Sequence, residues 1–231
     1  GNNPENLASA IKLIEPLQPD YIDLNMGCPV KKIVSKGAGA ALIKTPDLML
    51  KLAETAVKAT NIPITVKTRT GWDESSKNIL DIALRIQDTG ISALTIHGRT
   101  KAQMYQGLAD WNIIAEVKNH PNIFVPIIGN GDIDSPEKAL QLQKQSGVDG
   151  LMIGRASFGN PFIFRQIQEL REFGEYKPIS LKERVETCKL HLEYSANWKG
   201  LNRTILEIRK HYSGYFKNFT NFKPFKLKLM L

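Results

Sequence analysis

Tyr21-Ile22-Asp23-Leu24-Asn25-Met26-Gly27-Cys28-Pro29 joins a short apolar-rich run to an abrupt stop. Tyr21 to Leu24 reads as a buried strand. Gly27 frees the backbone to turn, and Pro29 keeps both strand and helix from continuing unbroken. A thiol is thereby set on a short stub at the carboxyl end of a strand, which is where α/β folds keep their chemistry. A lone cysteine is often just a small buried hydrophobe, so Cys28 has to be weighed against its neighbours.

Outward from that stretch, the first 175 residues repeat a strand–helix rhythm. Further strands are expected at Ile64–Lys67, Ala93–Ile96, Phe124–Ile128 and Gly150–Ile153, each a short apolar or β-branched run bounded by Gly, Pro or polar residues. Helix starts are marked where a capping residue precedes a proline, at Asn3-Pro4, Thr45-Pro46 and Ser135-Pro136, with Asp110 before Trp111 a further cap. Spacings of about 25–40 residues fit βα units building a parallel sheet. A five-stranded doubly wound sheet and a (β/α)8 barrel both satisfy the rhythm. Polar, chemistry-bearing loops after every strand, rather than at one switch point, favour the barrel. A full barrel needs about 250 residues, so the reading is a TIM barrel lacking its first strands. Beyond Ser180, Leu181, Val185, Cys188 and Leu192 take helical spacing, a second helix is expected from Asn202 to Lys217, and no strand signal remains. The expected division is a partial barrel over 1–175 and a small helical domain over 176–231, with Cys188 structural on its apolar stripe.

Composition narrows the class. The chain has 231 residues, 42% hydrophobic and 23% charged, an ordinary globular balance. No run of about 18 apolar residues occurs, so no membrane span is expected, and no signal peptide is read. The start at Gly1 and the stop inside Lys226-Leu227-Lys228-Leu229-Met230-Leu231 read as cut ends. Two cysteines, far apart, make neither a disulfide scaffold nor a metal site, which suits a reducing cytoplasm. Residues 1–175 hold 19 Lys+Arg against 19 Asp+Glu, whereas 176–231 hold 12 against 4. A neutral body with a basic tail points to a polyanionic partner, nucleic acid first.

The loops after the strands supply the rest. Lys67-Thr68-Arg69-Thr70-Gly71 ends the second strand, and an ammonium at a barrel mouth calls for an anion or an electron-rich ring. His97-Gly98-Arg99-Thr100 follows the third. Gly129-Asn130-Gly131-Asp132-Ile133 and Gly154-Arg155-Ala156 follow the fourth and fifth, where glycine-flanked loops and a helix start form the usual barrel phosphate site. Arg155 adds a bidentate donor. Without a G-x-G-x-x-G fingerprint, the phosphorylated group is read as flavin mononucleotide (FMN) rather than tightly bound NAD.

With these residues in view, the chain resembles the tRNA-dihydrouridine synthases, in particular their bacterial B-type branch. The matching motifs are Asn25-Met26-Gly27-Cys28-Pro29, Val66-Lys67-Thr68-Arg69, Ile96-His97-Gly98-Arg99-Thr100, Ala109-Asp110-Trp111, Gly129-Asn130-Gly131-Asp132-Ile133, Met152-Ile153-Gly154-Arg155 and Arg209-Lys210-His211. The resemblance implies an FMN-binding barrel followed by a helical tRNA-binding domain, with NADPH or NADH as electron source. It makes Cys28 the proton donor to carbon 5 of a uracil whose carbon 6 receives hydride. Lys67 and His97 are then flavin contacts, and Asn130, Gly131, Asp132, Gly154 and Arg155 hold the ribityl phosphate end. Asn25 and Arg69 grip the uracil. Lys210, Lys217, Lys223, Lys226 and Lys228 are candidate phosphate contacts, with Tyr212, Tyr215 and Phe216 read either as stacking surfaces or as helical core. No metal, no membrane and a monomer are expected. The family's earlier Pro-Met-Ala segment and Gln are absent, and Lys217-Asn218-Phe219-Thr220-Asn221-Phe222-Lys223 replaces a glycine-rich turn common in relatives. Two rivals share parts of the pattern: an FMN-barrel reductase of free pyrimidines of the dihydroorotate dehydrogenase type, and an inactive RNA-binding protein.

Overall fold

The computed structural model describes residues 1–217, 219 and 223–230. The chain packs as two compact units, 1–132 with 141–152, and 133–140 with 153–231. In chain order the elements up to residue 152 are α1 Pro4–Ile14, β1 Ile22–Asn25, α2 Lys31–Val34, α3 Pro46–Ala59, β2 Ile64–Arg69, α4 Ile79–Ile86, β3 Ala93–His97, α5 Trp111–Lys118, β4 Ile127–Asn130, α6 Pro136–Ser146 and β5 Gly150–Met152.

The five strands form one sheet in the order β1-β2-β3-β4-β5, every pair parallel. Each strand lies beside its successor in sequence, so among the described residues the crossovers never reverse and the sheet has no topological switch point. A doubly wound sheet requires that reversal; a barrel forbids it. The winding is therefore that of a (β/α) barrel wall, as the loop chemistry suggested.

Register divides the sheet into two unlike faces. Ile22, Leu24, Ile64, Val66, Leu94, Ile96, Ile127 and Leu151 share one face, and it joins Met49, Leu52, Ile82, Ile86, Ile114 and Val117 from α3, α4 and α5 in the core. The opposite face carries Asp23, Asn25, Thr65, Lys67, Arg69, Thr95, His97 and Asn130. A two-residue period puts those polar side chains together, with Ala93, Ile128 and Met152 among them and Thr68 on the apolar face. A hydrophobic core on one side thus holds a polar surface on the other.

Local signals read from sequence set most element starts. Asn3 Oδ1 accepts the Asn6 N–H at 2.7 Å, Asp110 Oδ1 accepts the Asn112 N–H at 3.0 Å, and Ser135 Oγ accepts the Lys138 N–H at 3.2 Å. Thr45 departs from the pattern: its hydroxyl donates back to the Leu42 carbonyl rather than capping α3. The fourth strand begins at Ile127, not Phe124, because Pro126 has no N–H for the ladder. Phe124 is left 82% exposed.

The second unit is helical, with α7 Phe162–Phe173, α8 Leu181–Lys199, α9 Leu201–Tyr215 and α10 Lys223–Met230. Its core is Phe162, Ile179, Cys188, Ile208, Tyr212 and Tyr215, with Leu192 and Phe216 against it. Tyr212 and Tyr215 are therefore core residues rather than exposed stacking platforms. Burial pushes the Cys188 thiol up to about 11, in keeping with a structural role. Helix α10 was not anticipated from sequence. Among the described residues no helix is long and apolar enough to cross a membrane.

Candidate active site

Five consecutive strand ends converge on one rim. Asn25 lies in register with Lys67, and Arg69, His97, Asn130 and Met152 form a second row across β2 to β5. Two residues beyond β1, the chain turns at Gly27 toward Cys28, whose side chain is half-buried.

Arg69 holds that turn. Its Nε donates to the Gly27 carbonyl at 2.9 Å, and its Nη1 donates to the Thr100 and Met104 carbonyls at 2.8 and 2.9 Å. The guanidinium is 2% exposed and lies over the Tyr105 ring. It therefore fastens the cysteine turn to the loop after β3, which makes it a positioning residue. From beneath, Gly39 takes a left-handed conformation with φ 59°, and a Cβ there would sit 2.7 Å from the Cys28 carbonyl oxygen. The Ala40 N–H donates to that same oxygen at 3.0 Å. Neither support was read from the sequence, although Gly37-Ala38-Gly39-Ala40 is visibly small.

A buried ion pair ties the loops after β3 and β4. Arg99, 2% exposed, donates from Nη2 to both oxygens of Asp132 at 2.8 Å and to the Gly107 carbonyl at 2.6 Å. Asp132 Oδ2 also accepts the Ala109 N–H at 2.8 Å. The carboxylate is thus engaged by protein partners, and Asp132 offers a ligand its main chain, held at φ 52°. Gly131 accepts no side chain: with φ 131°, a Cβ would fall 2.6 Å from that of Ala109. Gly129 serves packing, because a Cβ there would overlap the Trp111 ring at 2.4 Å. Trp111 Nε1 also donates to the Gly131 carbonyl at 3.0 Å. The Ala109-Asp110-Trp111 motif therefore braces the glycine loop, a function the sequence did not disclose.

Electrostatics mark His97 and Lys67. Burial, then Arg69, Lys67 and Arg99, push His97 down to about 3 against the pull of Asp132. It is a neutral imidazole at ordinary pH. A guanidinium can only donate, so the 3.4 Å contact from Arg99 Nη1 makes His97 Nε2 the acceptor and leaves the proton on Nδ1. Burial and Arg69 pull Lys67 down to about 8, opposed by Asp23. Lys67 forms no direct ion pair with a described residue, and the charge of Asp23 on the same face offsets its ammonium only in part. A partly offset cation, an Nδ1–H donor, the Asn130 amide fixed to the Met152 carbonyl at 2.7 Å and a glycine loop suit an anionic, ring-bearing cofactor.

Linkage gives a measurable consequence. Between about pH 6.5 and 3 the unfolded chain protonates His97 and the folded chain does not. Stability is therefore expected to fall as pH drops through that window, and His97→Gln is expected to flatten the curve in urea titrations. For Lys67 the window is about pH 8 to 10.5, and there stability is expected to climb as pH rises.

Gly154 and Arg155 belong to the second unit, as does Lys210. The short helix expected after Gly154 is one 3₁₀ turn, Arg155–Ser157, too brief to build a helix dipole. The residue before it borders open space: a Cβ on Gly154 would meet nothing within 4 Å. Lys210 is exposed on α9, and Lys217 and Lys228 are exposed as well. The side chains of Lys223 and Lys226, and the backbone of the Asn218 and Thr220–Phe222 positions, lie outside the described residues.

Comparison with known proteins adds to this geometry. The family model for dihydrouridine synthase (Dus) matches residues 1–230. The tRNA-dihydrouridine synthase B of Pseudomonas aeruginosa is 38% identical over 227 residues, covering 98% of this chain and 68% of that protein. That of Vibrio vulnificus is 40% identical over 227 residues, covering 98% and 70%. The probable tRNA-dihydrouridine synthase 1 of Synechocystis sp. is 40% identical over 217 residues, covering 94% and 60%. Among solved structures, DHODH from Eimeria tenella in complex with ferulenol aligns with TM-score 0.53 at 16% identity, over 75% of this chain and 56% of that one. At that identity the likeness concerns the fold alone. Strand winding, the rim of strand ends and a family match over nearly every residue agree, and the chain belongs to the dihydrouridine synthase family, in its bacterial B-type branch.

Proposed function

We propose that this chain reduces uridine to 5,6-dihydrouridine in tRNA, with FMN as cofactor and NADPH or NADH as electron source, in the cytoplasm. The observation that carries the proposal is the single polar face on which Lys67, His97 and Asn130 stand in adjacent register beside the braced Cys28 turn. The family match and the names of the relatives support the same reading.

Lys67, His97, Asn130 and the main chain of Gly131 and Asp132 would hold FMN, with Gly154 and Arg155 toward its phosphate. Bound FMN supplies the hydride for carbon 6 of the uracil, replenished from NADPH. Every remaining step falls to the chain. Asn25, exposed at the end of β1, orients the pyrimidine at the rim. Cys28 Sγ–H delivers its proton to carbon 5 and is left as thiolate, to be reprotonated from solvent. Arg69 keeps the sulfur in place by gripping Gly27. A neutral His97 donates through Nδ1 without competing as an acid. Reaching the base requires the nucleotide to leave its stack, at a few kcal/mol, and the basic helical unit, including Lys210, supplies phosphate contacts that offset this cost.

The test is direct. Purified protein loaded with FMN is incubated with NADPH and unmodified tRNA, and the nucleosides are analysed by mass spectrometry. A gain of two hydrogens on uridine is expected, with no turnover of free uracil or orotate. Turnover of the free pyrimidines without tRNA would favour the reductase alternative.

A further inference from the structure

We propose that the cavity bordered by Lys44 and Trp72, with Lys101 at its side, is a subsite for the phosphodiester backbone of the RNA substrate. This rests on the reading of the chain as a tRNA-modifying enzyme and adds a contact surface on the catalytic unit itself.

The cavity has a volume of about 430 Å³ and is lined by Lys44, Trp72, Asp73, Ser76 and Asn78 among others. Lys44 Nζ lies 4.6 Å from the Trp72 ring centroid and Lys101 Nζ lies 4.4 Å from it. Two ammonium groups on one indole repel each other; the ring quadrupole offsets part of that repulsion and fixes both charges in place. Neither lysine forms an ion pair with a described residue. The carboxylate of the lining, Asp73, is engaged by its own turn: its Oδ1 accepts from the Ser75 and Ser76 hydroxyls at 2.8 and 2.7 Å. Two cations on one ring, neither in a direct ion pair with a described residue and together outnumbering the one carboxylate of the lining, suit a phosphate group. Asn78 donates Nδ2 to the Ile43 carbonyl at 3.0 Å, and its Oδ1 is buried without a partner.

Position supports the assignment. Lys44 lies on the connection after β1, Trp72 on that after β2, and Lys101 on that after β3. The last two are stitched by Lys101 N–H to Gly71 carbonyl and Ala102 N–H to Trp72 carbonyl bonds of 2.9 and 2.8 Å. All three leave the carboxyl ends of neighbouring strands, the rim that carries Cys28. A strand delivering one base to the cysteine carries its flanking phosphates across that rim.

The experiment is a titration of unmodified tRNA transcript into the protein at several NaCl concentrations, with steady-state kinetics beside it. Lys44→Ala/Lys101→Ala is expected to weaken tRNA binding roughly tenfold and to reduce the salt slope by about 2. Its kcat at saturating tRNA is expected to stay within about twofold of the parent. Lys44→Arg/Lys101→Arg is expected to retain affinity. Lys12→Ala/Lys58→Ala, which removes the same charge from the last turns of α1 and α3, is expected to leave the slope unchanged. An unaltered affinity and slope in the first double variant, or an equal loss in the control pair, overturns the subsite. Should the parent protein bind tRNA but form no dihydrouridine, the reaction proposal fails while the same titration still decides this one.

Discussion

Cys28→Ala is expected to lower dihydrouridine formation by about 10²–10⁴-fold, the usual worth of a positioned general acid, while tRNA affinity stays within about twofold. The expectation follows from the construction around the residue. Arg69 clamps the preceding carbonyl, Gly39 underlies the turn, and Ala40 anchors the Cys28 carbonyl. That much support serves a packing role poorly, because the side chain itself remains half-exposed. Alanine removes only the thiol, so the turn, the polar face and the RNA contacts should persist. Cys28→Ser separates acid from shape: it keeps the volume but is a far weaker proton donor, and should resemble alanine rather than the parent. The measurement is single-turnover formation of dihydrouridine from reduced, FMN-loaded protein. A Cys28→Ala variant working at the parent rate would reassign the proton to another group.

How much of this could be read from residues alone differs by level. The five strands and their spacing were legible because each is a short apolar run bounded by breakers, and the barrel winding followed from polar loops after every strand. Strand ends were less legible. Ile64–Lys67 extends to Arg69 because the ladder continues into polar residues, which apolar patterning cannot register. Candidate side chains were legible as types at strand ends, but their employment was not. Arg69 looked like a ligand contact and braces a turn. Asp132 looked like a phosphate-site residue, and its carboxylate is held by Arg99 and Ala109. Such pairings join loops some 30 residues apart, and nothing in local pattern encodes them. Gly129 and Gly131 show the same limit: both were read as making room for a ligand, and one makes room for Trp111.

Gly214→Val is expected to disrupt the helical unit, with a loss of at least about 3 kcal/mol, the range of severe overpacking. Gly214 lies inside α9, where a glycine costs about 1 kcal/mol relative to alanine, so helix propensity alone predicts that replacement stabilises. Contact geometry reverses the sign. A Cβ at 214 would sit 2.0 Å from the Phe158 carbonyl oxygen and 3.0 Å from the Gly159 Cα. Both are main-chain atoms, and rotating a side chain relieves neither. The partner surface is equally intolerant: Gly159 adopts φ 63°, and a Cβ there would lie 2.1 Å from the His211 carbonyl oxygen. The two glycines let a loop backbone lie against a helix backbone, and this contact fixes α9 with Tyr212 and Tyr215 in the core. Valine adds β-branching to the overlap, so α9 must shift and that core must open. Gly214→Ala tests the argument most sharply, because propensity and sterics then predict opposite signs: a lowered denaturation midpoint is expected, and a raised one would show that the close approach relaxes cheaply. Since Lys210 projects from the same helix, tRNA affinity should fall with the midpoint in the valine variant, whereas Gly174→Ala, where a Cβ would meet nothing within 4 Å but φ is 77°, should cost only about 1 kcal/mol of backbone strain.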